Sequence, residues 1–248
     1  SANALSANTE YVFNIWAYDI AGNTASATIE VSTTTFASYN PPSGFVDNLS
    51  SEKTNGSGIV DMVILVDDPD NDDTLRAKVF YEAGDTCAFA SETNMTVDEA
   101  DISTTATYGD PDVDNAEDYQ VGVVTNWIQT SPGSNYIFFD WESGVDIPTA
   151  NGDYCIGLVV NDGMFDQVAT HTKVMTIDNV DPTAPGILST STKSYDSITL
   201  AFGTESADTR FDAYKIFYKE GISGVTESDN EFNIVDDPNL DLANYGTA

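Results

Sequence analysis

The chain has 248 residues, with 41 Asp and Glu against 8 Lys and Arg, a formal net charge of −33. So much acid excludes a partner held through phosphates, so no nucleic acid is expected, and it disfavours anionic membrane surfaces. A single histidine, His171, excludes His-based triads and multi-His metal sites, while 41% hydrophobic residues exclude an acidic disordered tail.

Thr, Ser, Val, Ile, Tyr and Phe abound and helical Leu/Glu/Lys/Ala stretches are missing, which is a β-rich alphabet. No run of 18 apolar residues occurs, so no membrane insertion is expected in this segment. The start, Ser1-Ala2-Asn3-Ala4, has neither a basic nor an apolar targeting region, and both ends read as cuts through a longer chain.

In chain order, alternating apolar runs predict strands over 10–18, 25–31, 59–66, 75–81, 119–128, 136–139, 154–160, 168–177, 197–202 and 211–219. Each is bounded by Gly, Pro, Asn or Asp, the punctuation of antiparallel sandwiches. The stretch 91–118 has few apolar residues and is expected to be a long loop. Two Pro-bearing stretches, 32–43 and 178–186, read as stiffened linkers and leave three pieces: 1–33, 34–183 and 184–248.

In the last piece, Pro185, the strand Ser197-Ile198-Thr199-Leu200-Ala201-Phe202 and the run Tyr214-Lys215-Ile216-Phe217-Tyr218 follow one another. They resemble the first half of a fibronectin type III domain, with Phe202 where that family usually has Trp. In the first piece, Leu5-Ser6-Ala7-Asn8-Thr9-Glu10-Tyr11 resembles the family's L-x-P-x-T-x-Y turn, with Ala7 in place of proline. In such a tyrosine corner the hydroxyl bonds backbone a few residues upstream. The 33 and 65 residues together make about one sandwich of roughly 100. The middle piece, with Asp67-Asp68-Pro69-Asp70 and Gly152-Asp153-Tyr154 leading to Asn161-Asp162-Gly163, resembles Ig-like repeats of large bacterial surface proteins. The resemblance implies an all-β chain of Ig-like and fibronectin type III sandwiches in tandem, one of them split across the chain ends. The competing reading is a fragment whose two end pieces belong to unrelated neighbours.

The middle piece holds 27 acids against 4 bases. Alternating acids can converge their oxygens on a hard cation, and calcium takes 6–8 of them. Candidate metal ligands are Asp67, Asp68, Asp70 and Asp72 in one knot and Asp110, Asp112 and Asp114 in another. The linker acids Asp178 and Asp181 resemble a shortened cadherin calcium linker; for each group the alternative is a solvated or capped turn. Cys87 and Cys155, in an extracellular sandwich, read as a disulfide; the alternative is two buried thiols in a cytosolic protein. Trp127, Tyr136 and Trp141 make either a sugar-stacking platform or core.

No nucleophile elbow is present, and among so many acids no catalytic pair can be singled out. The expectation is therefore a non-enzymatic, extracellular or cell-surface structural protein, a repeat unit of a filament or of a giant tandem-repeat protein. Its partners would be identical units head to tail, with Tyr11, Phe13, Ile15 and Trp16 at the polymer interface. The rival functions are an adhesin or carbohydrate-binding module, and spacer domains of a secreted hydrolase.

Overall fold

The computed structural model describes residues 5–35, 40–69, 75–105, 109–123, 125–130, 135–202 and 204–242. It is all-β, and divides into two compact units: residues 1–147 with 152–177, and residues 148–151 with 178–248.

The first unit begins with two small hairpin sheets. β1 (Glu10–Phe13) pairs with β4 (Val31–Thr34), and β2 (Trp16–Tyr18) with β3 (Thr24–Ser26). The run expected over 10–18 is thus two strands, interrupted where the Asn14 side chain accepts the Ile15 N–H.

Beyond them lies a β-sandwich. One sheet has the order β10 (Val97–Thr104), β11 (Asn135–Trp141), β7 (Val60–Asp67), β5 (Ser43–Val46), with β6 (Ser51–Glu52) also on β7. The other has the order β13 (His171–Asp178), β12 (Asn151–Asn161), β8 (Arg76–Ala83), β9 (Thr93–Asn94). One helical turn, α1 (Ser143–Asp146), follows β11. Alternation selects the inward faces: Val60, Met62, Ile64 and Val66 of β7, Ile137, Phe139 and Trp141 of β11, and Ile156, Leu158 and Val160 of β12 are all buried. Tyr81 of β8 meets Trp141 at 5.1 Å between ring centroids, joining the two sheets.

The single strand expected over 25–31 is instead the end of β3 and the start of β4, with residues 27–30 in a turn. Two expectations for the sandwich also fail. The supposed loop 91–118 contains β9 and β10; β10 is an edge strand with Asp98 half-buried and Glu99 and Asp101 facing solvent, so it lacks an apolar rhythm. The run 119–128 is no strand. Among the described residues its backbone is bridged to the sheet at Val121 with Ala77 and, just beyond β8, at Ile128 with Leu75, because Gly122 turns the backbone to φ +79°. A Cβ on Gly122 would lie 2.8 Å from Ile128 N and 2.9 Å from Leu75 O, so the close approach requires glycine. Beside it the buried Gln120 carboxamide acts as a surrogate strand, accepting from Val79 N–H and donating to Val79 O.

The second unit has two two-stranded sheets, β14 (Leu188–Lys193) with β15 (Ile198–Phe202) and β16 (Ile216–Tyr218) with β17 (Asn230–Phe232). A 3-10 turn, Pro238–Asp241, follows. Its small core is Tyr214, set between the rings of Phe202 and Phe211, together with Leu240. Tyr214 N–H donates to Leu240 O, and its hydroxyl accepts from Ser206 N–H at 2.7 Å. Only Ile216–Tyr218 of the expected strand 211–219 is paired, because Tyr214 turns inward to fill this core.

Candidate assembly surfaces and acidic turns

The Leu5–Tyr11 turn has the bond that its resemblance to a tyrosine corner implies: the Tyr11 hydroxyl accepts from Ser6 N–H at 2.7 Å. Thr35 ties the same turn, accepting from Thr9 N–H and donating to Ser6 O. At the far end of the hairpins Asp19 accepts from the Asn23 side chain and N–H, and these bonds hold its carboxyl below the usual range. The turns are therefore well specified, yet no described residue of 5–35 is buried. Of the expected interface residues, Tyr11 is half-buried, while Phe13, Ile15 and Trp16 are exposed, Ile15 by 73% and Trp16 by 52%. Val12, Tyr18, Ile29 and Val31 are exposed too. The segment presents a concentrated apolar surface, unusual for a soluble face.

The second unit has an apolar groove of about 400 Å³, lined by Leu188, Ile198 and Leu200 from one sheet and Ile216, Tyr218 and Phe232 from the other. The two sheets thus face each other across space that no described side chain fills.

The acids are mostly spent on turns. Asp110 accepts from Thr104 N–H, Asp112 from the N–H groups of Val123 and Thr125, and Asp114 from Ala116 N–H. The three carboxylates thus serve three separate backbone segments. Their neighbour Asn115 brackets Val97, accepting its N–H and donating to its carbonyl. Asp67 ends β7 half-buried and Asp68 is buried; Asp70 and Asp72 lie outside the described residues. Asp178 accepts from Val180 N–H, and Asp181 is exposed. Among the described residues no group of three or more His, Cys, Asp or Glu is arranged to hold a metal ion.

Cys87 and Cys155 form a disulfide, with Cα atoms 5.1 Å apart. It pins the loop after β8 over the outer face of the sheet, where Phe89 packs edge-on against Phe80 at 4.8 Å. Trp141 is wholly buried and donates its indole N–H to Asp146, so it belongs to the core and to no sugar platform. Trp127 is half-buried, and Tyr136 is exposed beside Phe138, its ring centroid 6.3 Å away.

The four cations of the sandwich were not singled out from sequence, yet each is a staple. Lys53 bridges Asp140 at 2.5 Å and Asp61 at 3.1 Å, two carboxylates on directly paired strands. Burial pushes the Asp140 carboxyl up, against the pull of Lys53. Lys78 bridges Glu92 and Asp118; Lys173 donates to the carbonyls of Asp47 and Ser50. Arg76 lies over the Tyr119 ring at 4.4 Å and donates to Asn161. Tyr119 in turn donates to Asp166, and burial followed by that bond pushes its phenol to about 12. The one signal available was scarcity: where 4 bases meet 27 acids, each cation has several carboxylates to choose from. His171 is also structural, its Nδ1 accepting from Val46 N–H at 3.1 Å. No protein-family model matches the chain, and no curated protein matches it either.

Proposed function

We propose that this chain is a structural, non-catalytic repeat unit of an extracellular assembly, either a head-to-tail surface filament or a giant tandem-repeat surface protein. In this reading its sandwiches are of Ig-like and fibronectin type III kind. Residues 1–33 of one unit complete the half-sandwich 184–248 of its neighbour by strand sharing. The observation that carries the reading is the coexistence of two uncovered apolar surfaces, the exposed hairpins of residues 5–35 and the groove between β14–β15 and β16–β17. Exposed edges and apolar faces of this kind are templates for strand addition. A donor and an acceptor on different parts of one unit make a heterologous contact, which propagates. The same contact arises between successive units of one long chain. The disulfide supports an oxidising, extracellular setting.

Sedimentation velocity over a concentration series tests the reading. Species at multiples of the single-chain mass are expected, and Trp16→Asp, which places a charge on an exposed apolar strand, returns them to one chain. A wild-type chain that stays single at every concentration overturns it. Calcium held by the acidic turns stiffens the unit in this proposal. Chelator then lowers the melting temperature, and calcium restores it beyond what equal ionic strength of sodium chloride achieves. Equal effects of the two salts would leave screening alone.

A further inference from the structure

We infer that acid opens a clasp along one side of the sandwich: His171 and Lys173 of β13 hold β5, and protonation of His171 at Nδ1 releases it. The clasp lies within one chain, so it stands or falls whether or not units assemble.

β5 and β13 are the first and the last strand of the sandwich, so the chain enters through one and leaves through the other. They belong to different sheets, and each is the outer strand of its own, β5 beside β7 and β13 beside β12. An outer strand leaves backbone N–H and C=O groups without a ladder, and burying them unpaired is costly. Here side chains of β13 take the place of a strand. Val46, only 4% exposed, donates its N–H to His171 Nδ1 at 3.1 Å. The Phe45 ring stands edge-on to the imidazole, with centroids 5.0 Å apart. Two residues along, on the same face by the period of a strand, Lys173 donates to the carbonyls of Asp47 and Ser50 at 2.8 and 2.9 Å. Gly44 lets β5 come this close, since a Cβ there would lie 2.4 Å from a methyl of Val160 in β12.

Acid can undo one end of this clasp. A ring nitrogen that accepts an N–H carries no proton, so His171 is the neutral tautomer with its proton on Nε2. The imidazolium has two donors and no acceptor, and would meet the Val46 N–H donor to donor. Lys173 stays an ammonium across this range, so a second positive charge on the same face adds repulsion. Burial already holds His171 below its ordinary value, in favour of the neutral ring. The ionisable groups on the elements around the seam are carboxylates besides Lys173 and Tyr154. Asp47, next to Val46, accepts from Leu49 N–H; Asp61 and Asp67 lie on β7, Asp61 paired with Lys53 and Asp67 opposite Ser43. On β12 Asp153 accepts from the Thr176 hydroxyl, five residues along β13 from His171, and Asp178 ends β13. In the loop before β13, Asp162 accepts from the N–H groups of Met164 and Phe165, and Asp166 from Tyr119 and Asn161. A carboxylate that drew the imidazolium would turn the ring away from Val46, so attraction and repulsion both release β5, which then keeps only its ladder to β7.

NMR on the whole chain, dilute enough to stay single, tests this. At pH 7 the imidazole nitrogen shifts are expected to show Nδ1 of His171 without a proton. Amide exchange, expressed as protection relative to the unstructured rate, is expected to weaken at Val46 as pH falls below 6.5, by up to ~10-fold per pH unit for one proton taken up on opening. The amides of Met62, Phe80 and Phe139, in β7, β8 and β11, keep their protection. His171→Gln, whose carboxamide oxygen accepts the same N–H without titrating, keeps Val46 protected and removes the step. A proton on Nδ1 at pH 7 overturns the clasp, as does Val46 protection that is flat with pH or falls only together with the three core amides. The same step surviving in H171Q overturns it too. If H171Q fails to fold, the wild-type titration decides alone.

Discussion

Replacing Lys53 by Met tests whether the scarce cations hold the sandwich together. The ammonium lies between Asp140, only 8% exposed, and Asp61, 50% exposed, on strands where those two residues are direct partners. Without it two carboxylates face each other across β7 and β11, one of them buried. Breaking a fully buried pair on one side costs roughly 3–5 kcal/mol, and an exposed pair contributes roughly 0–1. Half the partners here reach solvent, so K53M is expected to lose about 2–3 kcal/mol at pH 7. Urea unfolding followed by near-UV circular dichroism of the Trp141–Tyr81 contact reads this unit. Adding Asp140→Asn, which removes the stranded charge, should restore more than about 1 kcal/mol of the loss. The loss also depends on pH. Asp140's carboxyl is raised by burial, and K53M removes a group that lowers it. A raised carboxyl favours the folded state below its unfolded value, and that advantage disappears as pH rises through the folded value. The K53M deficit therefore narrows as pH falls from neutral. A loss below about 0.5 kcal/mol, or one that D140N does not relieve, would refute the reasoning.

Three further outcomes are expected. Cys87→Ser with Cys155→Ser should cost about 4 kcal/mol by chain entropy for a 68-residue separation, and non-reducing peptide mapping should recover the linked pair from the wild type. Gly157→Ala should cost about 2–3 kcal/mol, because its Cβ would sit 2.3 Å from the Phe80 ring, which Phe89 hems in; a neutral melt would contradict it. His171 is lowered from 6.5 by burial, so its contribution is complete above pH 6.5 and is lost as pH falls through the folded value. His171→Gln should accordingly flatten the fall in stability between pH 7 and 5, and an unchanged slope would place the titration elsewhere.

The sandwich core was legible where strands are buried on one face. β7, β8, β11 and β12 stand close to where their alternation puts them, extended by a few residues at the ends. β10 was illegible because an edge strand rich in acid has no apolar rhythm, and the run 119–128 misled because its apolar residues serve a loop folded around Gly122. The Tyr11 hydroxyl bond was readable through the resemblance of residues 5–11 to a tyrosine corner, and the disulfide from two cysteines in an extracellular kind of sandwich. The Lys53 bridge was not, since it depends on the register between residues 53, 61 and 140. Asp110, Asp112 and Asp114 show a different limit. Acids two residues apart suit a capped turn and a cation loop equally, and the carboxylates described here accept backbone N–H groups.

The placement of the six lysines makes the two units unequal toward acylating reagents. Lys53, Lys78 and Lys173 are engaged inside the sandwich, where acylation must first break an ion pair or a bond to a buried carbonyl. Lys193 and Lys215 stand exposed, and Lys219 lines the apolar groove. Lys219 is engaged as well, paired with Asp229, and Lys215 has only a long contact of 3.8 Å to Glu231. A limiting dose of an amine-reactive dye is therefore expected to favour Lys193 and Lys215 of the second unit over the three lysines of the sandwich, which makes the chain a reporter of that unit without an engineered cysteine.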